Sequence, residues 1–213
     1  MKNKFIKHLK EIVDYKNCSF LLAISGGVDS MVLFNLFKEY SLNFSVAHCN
    51  FLLRGKSSDD DELFVKEICE RFNHEVYLKK FDTKKIASKS SVSIQMAARK
   101  LRYNWFSDLL NKHKFDYLVT AHHFNDSVET IFLNIARGTG ITGLKGIPIK
   151  ENKIIRPLLI FTKNEIIDFA KKNRIKFRND ITNNDLKYRR NRVRKLIIPE
   201  FENLNPGFFE SIK

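Results

Sequence analysis

The chain has 213 residues, an apolar share of 43% and a formal net charge of +14, which bounds it to one sizeable core with at most a small appendage and points to a polyanionic partner. Its three cysteines, Cys18, Cys49 and Cys69, are widely spaced with no C-x-x-C pair, which excludes a disulfide framework and a local zinc or redox pair and fits a reducing compartment. The N-terminus MKNKFIKHLKEIVDYK is charged throughout, and no run approaches the roughly 18 apolar residues of a membrane span, so a soluble, cytoplasmic protein with no membrane partner is expected.

In chain order, Phe5, Ile6, Leu9, Ile12 and Val13 share a helical face and predict an amphipathic first helix. SFLLAI (19–24) is a short apolar run ending at two glycines and predicts a buried strand. Val28 to Tyr40 then reads as helix, and NFSVAHC (43–49) as a second strand. Ser58, followed by Asp61 and the apolar Leu63, Phe64, Val65 and Ile68, predicts a capped helix start. HEVYLKKF (74–81) alternates as a strand does. Ile94 to His113 predicts a long helix with Met96, Ala97, Leu101, Trp105 and Leu109 inward. DYLVTAH (116–122) predicts the fourth strand, and Ser127 to Arg137 another helix.

Beyond Arg137 a glycine-rich connection, GTGITGLKGIP (138–148), leads to KIIRPLL, a short strand. Thr162 is a helix cap with Glu165 at the third position. From Lys171 to Lys195 the chain holds eleven Lys or Arg against two Asp. The closing IIPEFENLNPGFFESIK has no folded-looking conclusion, and a shortened form of something longer is expected. Strands alternating with helices predict an α/β fold, a doubly wound and mostly parallel sheet with helices on both faces. Ligands of such sheets bind at the carboxyl ends of strands. Polar signals recur there: SGG after the first strand, His48-Cys49-Asn50 after the second, His122-His123 after the fourth.

The turn Ser25-Gly26-Gly27-Val28-Asp29-Ser30 joins a strand to a helix. Two glycines let the backbone approach a ligand, and the helix N-terminus attracts an anion. Ser25 and Ser30 offer hydroxyls. The Walker loop's Gly-Lys-Ser/Thr is absent. A triphosphate here would be neutralised by metal, helix dipole and remote basic groups. Asp29 in such a nest suggests a divalent cation; the plainer reading is a helix cap.

This loop resembles the pyrophosphate-binding loop of the N-type ATP pyrophosphatases. Further segments are similar, in the same order, to the tRNA(Ile)-lysidine synthetases of that superfamily. They are AHCNFLLRGKSSDDDELFVKE (47–67), AARKLRYNWF (97–106), TAHHFNDSVET (120–130), RGTGITGLKGI (137–147), RPLL (156–159) and NDITNNDLKYRRNRVR (179–194). Asn125 stands where that family usually has Asp, and Ser127 where it usually has Gln.

The resemblance implies an adenine nucleotide alpha hydrolase-like (PP-loop) fold, with a nucleotide-binding core at 1–150 and a closing part at 151–213 that faces RNA. It implies that ATP activates C2 of the wobble cytidine in the CAU anticodon of tRNA(Ile), and that free L-lysine attacks the adenylate to give lysidine, AMP and pyrophosphate. It implies ATP contacts from Ser25, Gly26, Gly27, Val28, Asp29, Ser30 and His48, and Mg²⁺ on Asp29 and Asp126. Asp126 and Glu129, three apart on one helical face, would hold the lysine ammonium, unless they are a solvated face. Arg99, in the A-R motif, is preferred over Arg102 as a site residue, with a surface ion pair as the plain alternative. Asp29, Asp126, Glu129 and Arg99 form the expected catalytic set. Asn50 beside His48 would border adenine or ribose, if both do not simply pack. Either His122 or His123 would move a proton or be a packed residue.

The basic stretch, with Phe177 and Tyr188 interleaved, suits RNA phosphates and base stacking. Arg189, Arg190, Arg192 and Arg194 are the expected tRNA contacts. They lie too close in sequence to share a face, so some turn inward, toward Asp180, Asp185 or the ATP phosphates. A homodimer stays open. The competing readings are a related enzyme of this fold acting on another tRNA base, and a catalytically weak tRNA-binding module.

Overall fold

Phe20, Leu21 and Leu22 of strand β1 (Phe20–Ala23) are fully enclosed, and their alternation divides the core. Phe20 and Leu22 join one apolar cluster while Leu21 joins another. A strand buried on both faces is what a parallel sheet between helical layers requires. The protein is described here as a computed structural model, covering residues 1–178, 186 and 188–213.

α1 (Lys2–Ile12) precedes β1, and after it come α2 (Val28–Glu39), β2 (Phe44–Asn50), α3 (Lys56–Arg71), β3 (Val76–Lys80), α4 (Thr83–Lys89), α5 (Ile94–Lys112), β4 (Tyr117–Val119) and α6 (Phe124–Ile135). A 3₁₀ turn (Ile141–Lys145), β5 (Lys150–Glu151), β6 (Ile154–Ile155) and α7 (Lys163–Lys172) come next. The chain continues through α8 (Arg189–Arg192), a π-helical stretch (Val193–Ile197), α9 (Ile198–Leu204) and α10 (Phe208–Ser211). Among the described residues the strands form one sheet in the order β3-β2-β1-β4-β6-β5. All neighbours are parallel except the β5–β6 hairpin. The expected fold class is the one observed.

Strand order turns back between β1 and β4. From β1 the chain moves outward to β2 and β3, then returns to the other side of β1. The carboxyl ends of β1 and β4 therefore flank a topological switch point, where open α/β sheets hold ligands. One face of the sheet is covered by residues of α1, α2, α3 and α7, the other by α5 through Trp105, Phe106, Leu109 and Leu110. A third cluster joins Val128 of α6 to Val193, Ile198 and Phe208.

Several expectations are corrected. Met96 is 62% exposed rather than inward, because it lies in the first turn of α5, before the helix reaches the sheet. α3 begins at Lys56, after Gly55 at positive φ, and Ser58 instead accepts the Arg54 N–H inside its first turn. α4, capped by Asp82, has no apolar periodicity long enough to announce it. α6 starts three residues early, because the capping group is His123 rather than a hydroxyl residue. KIIRPLL yields only a two-residue strand, Ile154–Ile155, followed by Arg156, whose guanidinium donates to the Pro148 carbonyl at 2.7 Å. The sheet also runs across the boundary expected at residue 150: β6 pairs with β4, and Ile166 and Ala170 of α7 enter the main core. The closing residues do fold, burying Ile198 and Phe208 against α6. No helix among the described residues is long and apolar enough to cross a membrane.

Candidate active site

The loop after β1 is closed by its own serines. Gly26 has φ +90°, a region favouring glycine, and Gly27 is the N-cap of α2. The Ser30 hydroxyl donates to the Gly27 carbonyl at 2.9 Å and accepts the Ser25 N–H at 3.2 Å. The first N–H groups of a helix have no intrahelical partner, and here they belong to the turn that follows Gly27. The loop is held from outside as well. The Arg178 N–H donates to the Gly26 carbonyl at 2.9 Å, and the Arg178 guanidinium pairs with buried Asp61, which also takes Arg54 at 2.7 Å.

Across the switch point, His123 ends the β4 loop and caps α6. Its Nδ1 accepts the Asp126 N–H at 3.4 Å, while the Asp126 carboxylate accepts the His123 N–H at 3.0 Å. His123 Nε2 lies 3.5 Å from Asp126 Oδ2 and 3.8 Å from Asp29 Oδ1. The two strand ends thus meet through one imidazole. Asp29 is paired besides with Lys163, whose Nζ is 2.6 and 2.8 Å from its two oxygens.

Glu129 is wholly buried. Arg190 Nε donates to its Oε2 at 2.6 Å, and Arg194 donates through Nε to Oε1 at 2.6 Å and through a terminal nitrogen to Oε2 at 3.1 Å. Arg190 reaches on to the Asp126 carbonyl at 2.9 Å. Burial by itself would raise the Asp126 carboxyl, but His123, Arg190 and His122 outweigh it and hold the group below its ordinary range. Burial lowers the His122 pKa to about 4, Asp126 opposing and Arg156, Arg190 and Arg99 adding to the fall. His122 is therefore a neutral imidazole at pH 7, with Nδ1 2.8 Å from the Thr120 hydroxyl.

The family model of the PP-loop domain matches residues 1–201 of this sequence. The chain belongs to the PP-loop domain family. Curated relatives of this PP-loop domain carry the name tRNA(Ile)-lysidine synthase. That of Porphyromonas gingivalis is 44% identical over 90% of this chain and 42% of its own length. Those of Chlorobaculum tepidum and Thermosipho africanus are 42% and 40% identical, over 85% and 98% of this chain and 56% and 50% of theirs. The chain spans about half the length of these relatives. Among solved structures, the U34-tRNA thiolase NcsA of Methanococcus maripaludis superposes with a TM-score of 0.78 at 22% identity, over 99% of this chain and 75% of that one. The NH3-dependent NAD synthetase of Campylobacter jejuni gives 0.59 at 16% identity, over 99% and 89%. Such low identities speak for the fold alone.

In this PP-loop domain Ser25, Gly26, Gly27, Val28 and Asp29 make up the turn from β1 into α2, and Asp126 lies across from Asp29 with His123 between them. Ser30 and His48 do not face this corner. Ser30 is 4% exposed and spends its proton on Gly27. His48, also 4% exposed, has its Nδ1–H on the Ile24 carbonyl at 2.8 Å, and so ties β2 to β1. Asn50 is likewise internal, bonded to Asp59 and Glu62. Burial lowers the His48 pKa, in keeping with a supporting role. Arg99 is exposed, its guanidinium 4.7 Å above the Tyr103 ring, and its charge reaches His122. Phe177 packs on the main core rather than standing free to stack, whereas Tyr188 is exposed.

Glu129 departs furthest from expectation. Both of its oxygens are taken by guanidinium groups, so it has none left for a lysine ammonium. The arginines divide as their spacing requires: Arg190 and Arg194 turn inward, Arg189 and Arg192 outward. The inward pair meets Asp126 and Glu129; Asp180 and Asp185 lie outside the described residues. Among those residues no three His, Cys, Asp or Glu gather as a metal site. Asp29 offers the oxygen donors a hard cation prefers, shared with Lys163. Asp126 suits a cation less, because its oxygens already face His123, Arg190 and Arg194. Lys163 and Arg178 were missed from the sequence; their only local signals were the position after the Thr162 cap and a place in a basic run.

Proposed function

We propose that this PP-loop domain carries out ATP-dependent ligation of L-lysine to C2 of the wobble cytidine of tRNA(Ile). The observation that carries the reading is the meeting of Asp29, from the loop after β1, with His123 and Asp126, from the loop after β4, beside an outward-facing basic segment. A corner with helix N–H groups suits a polyphosphate, and the exposed Arg189 and Arg192 beside it suit an RNA backbone. The similarity to the synthases named above supports the choice of base and amino acid.

In this reading the cytidine O2 attacks the α-phosphorus of ATP and pyrophosphate departs. The lysine ε-nitrogen then attacks C2, and the C–O bond breaks to release AMP. The Gly26–Ser30 turn binds the departing pyrophosphate. Asp29 would hold magnesium, which would supply charge neutralisation at the phosphates. The ε-amine must lose protons to act as nucleophile. Glu129 acts by fixing Arg190 and Arg194, whose guanidinium groups also face Asp126.

The test is mass spectrometry of the anticodon nucleoside after incubation of the chain with ATP, lysine and tRNA(Ile). A gain equal to lysine minus water is expected. A gain of sulfur, or pyrophosphate release that proceeds equally without RNA, overturns the reading.

A further inference from the structure

The phosphate-binding loop carries no lysine of its own, yet a lysine from far along the chain stands over it. Lys163 opens α7, and its ammonium bridges both oxygens of Asp29 at 2.6 and 2.8 Å. Asp29 sits in the first turn of α2, where the helix end favours anions and disfavours cations. An ammonium there is held by the carboxylate alone, against the field of the helix. A polyphosphate arriving at the same helix end would offer it a stronger anion.

The root of this side chain is fixed while its head is free to move. The Lys163 N–H donates to Asn125 Oδ1 at 2.8 Å. Thr162 and Glu165 close a capping box around the same turn, and Ile166 and Ala170 anchor α7 in the main core. The side chain itself is 33% exposed, on a flexible four-carbon stem that can shift its point charge. The other groups facing Asp29 are His123 Nε2, at 3.8 Å, and the more distant charge of Arg194. Among the described residues Lys163 Nζ, at 2.6 Å, stands closer to Asp29 than His123 Nε2 does.

We infer that Lys163 is the lysine of this phosphate-binding loop, supplied by α7 of the same chain: its ammonium leaves Asp29 for the β- and γ-phosphates of ATP and stays with the pyrophosphate as it departs. The step exchanges ion pairs and moves no proton. The inference rests on the reading of the loop as an ATP site, and goes beyond it by assigning the cation that the loop lacks.

Titration calorimetry with ATP, inorganic pyrophosphate and AMP, on the parent chain, K163M and K163R, tests it. K163M should lose about 10- to 100-fold in affinity for ATP and pyrophosphate, the range for a charge-assisted hydrogen bond to phosphate. AMP, which lacks the outer phosphates, should bind within about twofold of the parent and so certify the fold. K163R should keep most of the affinity. If K163M binds ATP and pyrophosphate as the parent does, the inference is overturned. If the parent binds neither, the ATP reading fails first, which is a different result. Should K163M not fold, acylation of Lys163 in the parent decides: pyrophosphate should slow it, and an unchanged or faster rate overturns the inference.

Discussion

Asn125 Oδ1 accepts the backbone N–H of Lys163 at 2.8 Å, tying the start of α6 to the start of α7. This bond gives Asn125 a task that its sequence position did not disclose. It caps a helix that is not its own, where a carboxylate oxygen serves equally well. Asn125→Asp should therefore leave the midpoint of urea unfolding unchanged or slightly raised, because a negative charge at a helix N-terminus is favourable by roughly 0.3–1 kcal/mol. Asn125→Ala should cost about 1 kcal/mol. Lysidine formation by the Asp variant should match the parent within a few fold. A parent that is silent and an Asp variant that is active would instead support the weak tRNA-binding module.

Glu129 is wholly buried, while the side chains of Arg190 and Arg194 are 40% and 38% exposed. The three are not equivalent partners. Removing the arginines leaves a charge in the interior, at about 3–5 kcal/mol for a broken buried pair. Removing the carboxylate leaves two cations that can turn to water, which reduces the cost to roughly 1–2 kcal/mol after allowance for solvent screening. Denaturant midpoints should therefore rank parent above Glu129→Gln, and Glu129→Gln above the Arg190→Gln, Arg194→Gln double variant. The triple variant should recover part of the loss. An equal loss in all three variants would mean that the cluster is not a buried anion held by surface cations.

The parallel sheet was legible because short apolar runs such as Phe20–Ala23 alternate with helices, whereas β5, Lys150–Glu151, carries no apolar run to announce it. The loop was legible at Gly26, whose φ of +90° favours glycine, whereas Gly27 has a φ of −73° that any residue adopts. Spacing could show that the four arginines cannot share a face, but not where two of them go. The partners of Arg190 and Arg194 lie some 61 to 65 residues away, and those of Lys163 and Arg178 are more than a hundred residues distant. Such pairings arise from the packing of α7 and α8 against the switch point, which no local window contains. His48 and Ser30 misled for the converse reason: a polar residue near a strand end or in the first turn of a helix can face a ligand or bind nearby backbone, and the residue type is the same for both.

The neutral state of His122 makes stability depend on pH. Its pKa falls from 6.5 to about 4 on folding, so between those values the unfolded chain binds a proton that the folded chain refuses. Stability contributed by this site is full above pH 6.5 and declines as pH drops toward 4, by up to about 3 kcal/mol for a shift of this size. Unfolding free energies measured from pH 7 to pH 4 should show that slope, and His122→Gln should flatten it. A slope that persists unchanged in His122→Gln would place the titrating group elsewhere.

Arg189 and Arg192 are three apart on α8 and both exposed, whereas Arg190 and Arg194 are spent on carboxylates. Of these four arginines, the outward pair is the one that faces solvent and could neutralise RNA phosphates. Arg189→Gln with Arg192→Gln should therefore weaken tRNA binding and lower the slope of log affinity against log salt by about 2, roughly one per lost phosphate contact. The unfolding midpoint should not move, because neither side chain supports the core. Filter binding of tRNA at several salt concentrations, beside a denaturant curve, separates the two effects. If the outward variant unfolds early while its salt slope is unchanged, α8 acts as a structural strap and the RNA must meet another face.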